Sequence, residues 1–168
     1  MKKTIIIYGS TTENTKEAAN MIAAQLNEFS PAVKDVSACT IEDFTDNDFL
    51  FLGTSTWGAG DLQDDWYDML PKLSSANLTG KRVALFGLGD SYSYSDTFVG
   101  GMRELYDFFS GKGCKMEGSV STSGYHFEDS AAVENDEFVG LPLDADNESD
   151  QSEERIADWL KALKPLLQ

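Results

Sequence analysis

The sequence predicts a doubly wound α/β fold, a parallel sheet with helices on both faces. Three observations carry that expectation. Short, β-rich apolar runs alternate with longer stretches of helical period. The segments that leave the apolar runs are unusually rich in Gly, Ser and Thr, as ligand-binding loops at strand ends are. The length, 168 residues, suits one domain with a core large enough to need no disulfide or metal.

Taken in order, residues 4–8 form a buried strand. Residues 14–29 then place Thr15, Ala18, Ala19, Ile22, Ala23 and Leu26 on one helical face, and Pro31 ends the helix. A second strand is expected at 33–37, a short helix at 41–44 and a third strand at 49–53. Residues 62–70 have helical character, with Pro71 marking an end or a kink. Residues 83–87 give the fourth strand. A helix follows at 98–110, with Met102, Leu105, Tyr106 and Phe109 facing inward and Gly111 and Gly113 as stop signals. The last β segment falls in two pieces, 116–121 and 138–143, separated by a polar, aromatic stretch beginning at Gly124. The final helix is expected at 152–166, with residues 152–155 resembling a start signal and Ile156, Trp159, Leu160 and Leu163 buried. No repeat or linker interrupts residues 1–168, which are expected to form a single domain.

Composition narrows the function. Against 29 Asp and Glu stand 13 Lys and Arg, a formal charge of −16. Nucleic acid and anionic membrane are poor partners for such a surface, whereas a basic protein would be steered in; the charge also serves solubility. The short apolar run at 5–8 is too brief for a signal peptide or membrane span, so a cytoplasmic location is expected. Cys39 and Cys114 lack metal-ligand spacing and are expected to be reduced and structural. The glycosylation-type matches at Asn77 and Asn147 carry no weight in a cytoplasmic chain.

Three loops hold the chemistry. Gly9-Ser10-Thr11-Thr12-Glu13-Asn14-Thr15 joins the first strand to the first helix with four hydroxyls and an amide, which suits a phosphate at a helix N-terminus or an ordinary hydroxyl-rich cap. No Gly-Lys-Ser/Thr follows, so it is not a Walker A loop. Thr54-Ser55-Thr56-Trp57-Gly58-Ala59-Gly60-Asp61 holds a tryptophan among small residues, and the stretch from Gly87 to Asp96 carries Tyr92 and Tyr94. Each aromatic alone could be a packing residue; together they suit a planar ring held between two loops. Asp144, Asp146, Asn147, Glu148 and Asp150 resemble part of a calcium loop but lack its central glycine and distal glutamate.

In this order and spacing, the three loops resemble those of the flavodoxins, and the resemblance covers the whole chain. Residues 60–66, 124–130, 138–141 and 144–147 are similar to further runs of the long-chain branch, in which an insertion splits the last strand. The resemblance implies a five-stranded parallel sheet of order 2-1-3-4-5 and one non-covalently bound FMN. It implies that Ser10, Thr11, Thr12, Asn14 and Thr15 hold the phosphate, with Thr56 and Asp146 near the phosphate and ribityl chain. Trp57 and Tyr94 would stack on opposite ring faces, Tyr94 fitting the spacing better than Tyr92. Asp90 and the backbone at Val99 would meet the pyrimidine edge, and Ser55, Gly58, Ala59, Gly60, Leu88, Gly89 and Phe98 complete the implied contacts. Glu13 stands where the family has glycine; its carboxylate is expected to point to solvent.

The implied function is a low-potential one-electron carrier working between basic-surfaced redox proteins, as a monomer and not as an enzyme. The family's peptide flip after the loop glycine would fall at Gly58-Ala59. An FMN-dependent NAD(P)H reductase of the same fold is the alternative. A receiver-type signalling domain ranks third, because hydroxyls and glycines stand where its acidic cluster would be.

Overall fold

The computed structural model describes all 168 residues. β1 (Thr4–Gly9) is buried at all six positions. Its side chains alternate, Ile5 and Ile7 entering one core and Ile6 and Tyr8 the other, as a parallel strand covered on both faces requires. α1 (Asn14–Gln25) ends four residues before the expected boundary, and Asn27–Phe29 tightens into a 3-10 turn. β2 (Ala32–Asp35) is a short edge strand, and Val36–Ala38 forms a 3-10 turn instead of extending it. α2 (Ile41–Thr45) follows.

β3 (Phe49–Trp57) runs four residues past the expected strand. Thr54 to Trp57, read from the sequence as loop, are therefore strand, and the chain turns back antiparallel through β4 (Asp61–Leu62) with Trp57 opposite Asp61. α3 (Asp64–Lys72) keeps Pro71 inside its last turn, where the missing N–H costs only one helical hydrogen bond. β5 (Arg82–Leu88) leads to α4 (Gly101–Gly111), which starts three residues later than expected. The cause is Val99, whose φ of 48° lies outside the right-handed helical region.

The last part of the sheet departs most from expectation. β6 (Lys115–Glu117) pairs with the start of β5; β7 (Val120–Ser121), β8 (Val133–Glu134) and β9 (Glu137–Phe138) form a separate antiparallel sheet. β10 (Leu141–Leu143) then returns to pair with the end of β5. Residues 120–121 and 137–138 thus leave the main sheet, redirected after β6 by Gly118 at φ 81°. α5 (Ser152–Leu163) closes the fold, and Lys164–Leu167 is a 3-10 turn. Ser152 does not act as a start signal through its side chain: the helix is entered from a 3-10 turn and its N-cap position, Gln151, makes no side-chain capping bond.

The main sheet runs β2-β1-β3-β5-β10, with β6 beside the other half of β5. Its order reverses between β1 and β3, so the loops leaving those strands open a crevice at their carboxyl ends. On one face α1 and α5 bury Ile22, Ile156, Trp159 and Leu160 against Ile6, Phe51 and Phe86. On the other, α3 and α4 bury Trp66, Met102, Leu105 and Phe109 against Ile7, Leu52 and Leu85. No helix is long and apolar enough to cross a membrane. Cys39 and Cys114 are free; burial pushes their thiols up to about 12 and about 11, so both stay protonated at neutral pH.

Candidate functional site at the carboxyl ends of the strands

A cleft of about 280 Å³ opens beyond β1, β3, β5 and β10. The first loop contributes Thr12 and Asn14; the end of β3 and its turn contribute Ser55, Thr56, Trp57 and Gly58. From the far side come Leu88, Gly89, Asp90, Tyr94, Phe98 and Val99, and beyond β10 comes Asp146. Ser10, Thr11, Glu13, Thr15, Ala59 and Gly60 stand in the same loops without lining the cleft. Thr97 and Ala145 line it and were not singled out from the sequence. Tyr92, 80% exposed, points away from it.

At the phosphate-type loop, Ser10 Oγ and Thr15 Oγ1 are buried with no hydrogen-bond partner. They are the only such side-chain atoms in the protein, and they flank the N-terminus of α1, whose free N–H groups favour an anion. Glu13, the N-cap, sits in the left-handed region at φ 72° and makes no capping bond. Its carboxylate is 73% exposed and lies 3.7 Å from Lys16 Nζ. Behind this loop, Gln63 donates to Thr11 Oγ1 at 3.4 Å, and a Cβ at Gly9 would stand 2.4 Å from Gln63 Oε1. Gln63 and Trp66 therefore require glycine there.

Of the three aromatics that line the cleft, Phe98 is buried, and the other two are partly open to solvent, Trp57 at 41% and Tyr94 at 57%. The Trp57 indole N–H donates to Ser55 Oγ at 3.0 Å, which fixes the ring's tilt. Thr56 Oγ1 accepts from Gly101 N at 3.1 Å, tying the end of β3 to the start of α4. Gly58 holds φ 53° and Gly60 φ 96°, a turn that side chains disfavour. Gly89 is closely packed, because a Cβ would lie 3.0 Å from Val99 and make that residue give way.

Asp90 Oδ1 accepts from Ser93 N at 2.9 Å, Tyr92 N at 3.1 Å and Asn147 Nδ2 at 2.8 Å. Burial raises its carboxyl pKa, but these donors outweigh it and hold the group below its ordinary value. Asp146 moves the other way, raised by burial and by the charges of Asp90 and Asp144. Asp144, in the calcium-like run, turns inward and is saturated by N–H and O–H donors. Asn147, in the same loop, donates to it and reaches across to Asp90.

A switch-point crevice with an anion cradle at one end and two aromatics beside it is what a mononucleotide with a planar ring requires. It places the protein in the class of nucleotide-binding α/β proteins. Comparison with known proteins narrows that class. The Flavodoxin family model matches residues 6–159. Flavodoxin from Klebsiella pneumoniae is 44% identical, with 95% of each chain covered. Flavodoxin from Nostoc sp. PCC 7120 is 39% identical over 97% of this chain and 96% of its own. Among solved structures, Fusobacterium nucleatum flavodoxin bound to flavin mononucleotide superposes with a TM-score of 0.94 at 34% identity, covering both chains fully. The chain belongs to the flavodoxin family.

Proposed function

We propose that the cleft binds one FMN non-covalently and that the chain carries electrons, one at a time, between larger redox proteins. The observation that carries this reading is the pair of buried, unpartnered hydroxyls, Ser10 and Thr15, at the α1 N-terminus. They fit a phosphate, which brings the acceptor oxygens these hydroxyls lack and a negative charge that the helix N-terminus favours. The FMN bound to the Fusobacterium relative supports the same choice. Thr11, Thr12 and Asn14 would add donors to the cradle, and Thr56 and Asp146, which line the cleft, would serve the phosphate and ribityl chain. Trp57 and Tyr94 would hold the ring between them, and Asp90 and the Val99 backbone would meet its polar edge.

FMN, when bound, supplies the redox chemistry. The protein's residues set its direction. No Lys or Arg lines the cleft, while Asp90 and Asp146 do, so added negative charge is disfavoured and a low potential follows. The Gly58-Ala59 peptide can turn either its carbonyl or its N–H toward the ring, because glycine tolerates both backbone states. The cleft pairs no general acid with a base and holds no activated nucleophile, so we read a carrier and not an enzyme. Basic-surfaced redox proteins would dock over the cleft mouth between Trp57 and Tyr94, and transfer rates would fall as salt screens the encounter. A cytoplasmic monomer completes the reading.

Anaerobic reductive titration of the FMN-loaded protein, followed by visible absorption, tests it. Two resolved one-electron stages are expected. A single two-electron step, with rapid bleaching by NADPH alone, would favour the reductase alternative instead.

A further inference from the structure

We propose that Asp144 is a positioning residue, a buried carboxylate that clips the loop after β5 to the loop after β10 and so sets the cleft edge on which Asp90 and Asp146 stand. Its relevance to the cofactor rests on the FMN reading above. Asp144 is 0% exposed, and none of the protein's ion pairs includes it. Its charge is held entirely by neutral donors, drawn from both loops. Oδ2 accepts from the Ser91 N–H at 3.1 Å and from the Ser91 hydroxyl. Oδ1 accepts from Asp146 N at 3.2 Å and Asn147 N at 3.0 Å. The Asn147 amide donates to both oxygens, at 3.1 and 3.0 Å, and to Asp90 Oδ1 at 2.8 Å.

The donor pattern explains why a carboxylate stands here. A buried anion without a cation is costly and persists only when saturated with hydrogen bonds. An isosteric asparagine has one acceptor oxygen, and its NH₂ group would face either the Ser91 donors or the Asp146 and Asn147 N–H groups. Whichever way it turned, one of the two loops would be released. The same step would leave Asn147, which links Asp144 to Asp90, with a weaker anchor.

The test compares wild type, Asp144→Asn and Phe109→Leu, the last removing packing in the core without touching either loop. In the apoprotein, amide hydrogen exchange should quicken at least tenfold in Asp144→Asn either at Ser91 or at Asp146 and Asn147, according to which way the amide turns, beyond any change in the amides of β1. The FMN dissociation constant, followed by quenching of flavin fluorescence, should rise at least tenfold, whereas Phe109→Leu should move it less than threefold. Unchanged exchange at all three amides, or a loss of affinity matched by Phe109→Leu at equal loss of apoprotein stability, overturns the proposal. Should Asp144→Asn fail to fold, Ser91→Ala carries the same comparison: faster exchange at Asp146 and Asn147 supports the clip, and no change refutes it. A wild type that retains no FMN would defeat the cofactor reading alone, since the exchange measurement needs none.

Discussion

Replacing Glu13 by glycine should leave the apoprotein's stability nearly unchanged and yet tighten FMN binding. Three terms decide the first part. Glu13 sits at φ 72° and ψ −17°, a conformation that costs a non-glycine residue about 1 kcal/mol or slightly more. Glycine relieves that strain but returns about 0.5–1 kcal/mol through the freedom it adds to the unfolded chain. Losing a carboxylate at a helix N-terminus costs about 0.3–0.5 kcal/mol at this exposure, its contact with Lys16 being open to solvent. The sum is within about 0.5 kcal/mol of zero, so Tm should move by less than about 2 °C. Binding is different, because only the charge matters there. A phosphate of charge near −2 at about one Debye length from the carboxylate is repelled by about 0.3–1 kcal/mol, a two- to fivefold effect on Kd. Fluorescence titration of the apoprotein at low salt and again at 1 M KCl reads it. An affinity gain at low salt that vanishes at high salt is expected. A gain that survives unchanged at 1 M KCl, or none at low salt, would refute the electrostatic reasoning.

Three further outcomes follow from the same geometry. Gly58→Val places a β-branched side chain at φ 53° and 3.1 Å from Asp61 Oδ2, so the two one-electron stages of a reductive titration should move closer together; unaltered spacing would remove the Gly58-Ala59 peptide from the account. Gly53→Ala would put a Cβ 2.2 Å from the Phe86 ring, and urea denaturation should show a loss of about 3 kcal/mol. The Asp90 carboxyl, depressed in the fold, contributes stability that is present above its ordinary value of 3.8 and lost as pH falls through the lower folded value. Urea unfolding of the apoprotein between about pH 6 and 3 should therefore fall less steeply for Asp90→Asn than for wild type.

The parts of this molecule that were legible in the sequence are those written in local pattern. The Ile5–Ile7 run, the helical face of Ala18, Ile22 and Leu26, and the hydroxyl-rich loop before α1 all announce themselves within a few residues. Much of what was not legible depends on residues far apart in the chain. Asp144 reads as a fragment of a calcium loop until β10 is laid beside β5 and its oxygens meet Ser91. Gln63 looks like an exposed polar residue but is 2% exposed, because Thr54 and Thr11 supply its partners. Thr97 carries no signal of its own and enters the cleft only because Val99 delays the start of α4. The early end of the second strand is local by contrast: Asp35 accepts from Ser37 N and bends the chain into a turn, a competition that β propensity alone does not show.

The divided margin of the sheet bears on how the protein behaves in a crowd. An uninterrupted outer strand offers a row of free N–H and C=O groups on which another chain can grow. Here one border is broken into two three-residue stubs, Lys115–Glu117 and Leu141–Leu143, with the small antiparallel sheet leaving the chain between them. The opposite border is only four residues long and carries Lys34, pinned to Asp43 at 3.0 Å. Neither side gives a neighbour a template long enough to extend. The protein is thereby kept from stacking edge to edge with its own kind, whether or not its cleft is filled.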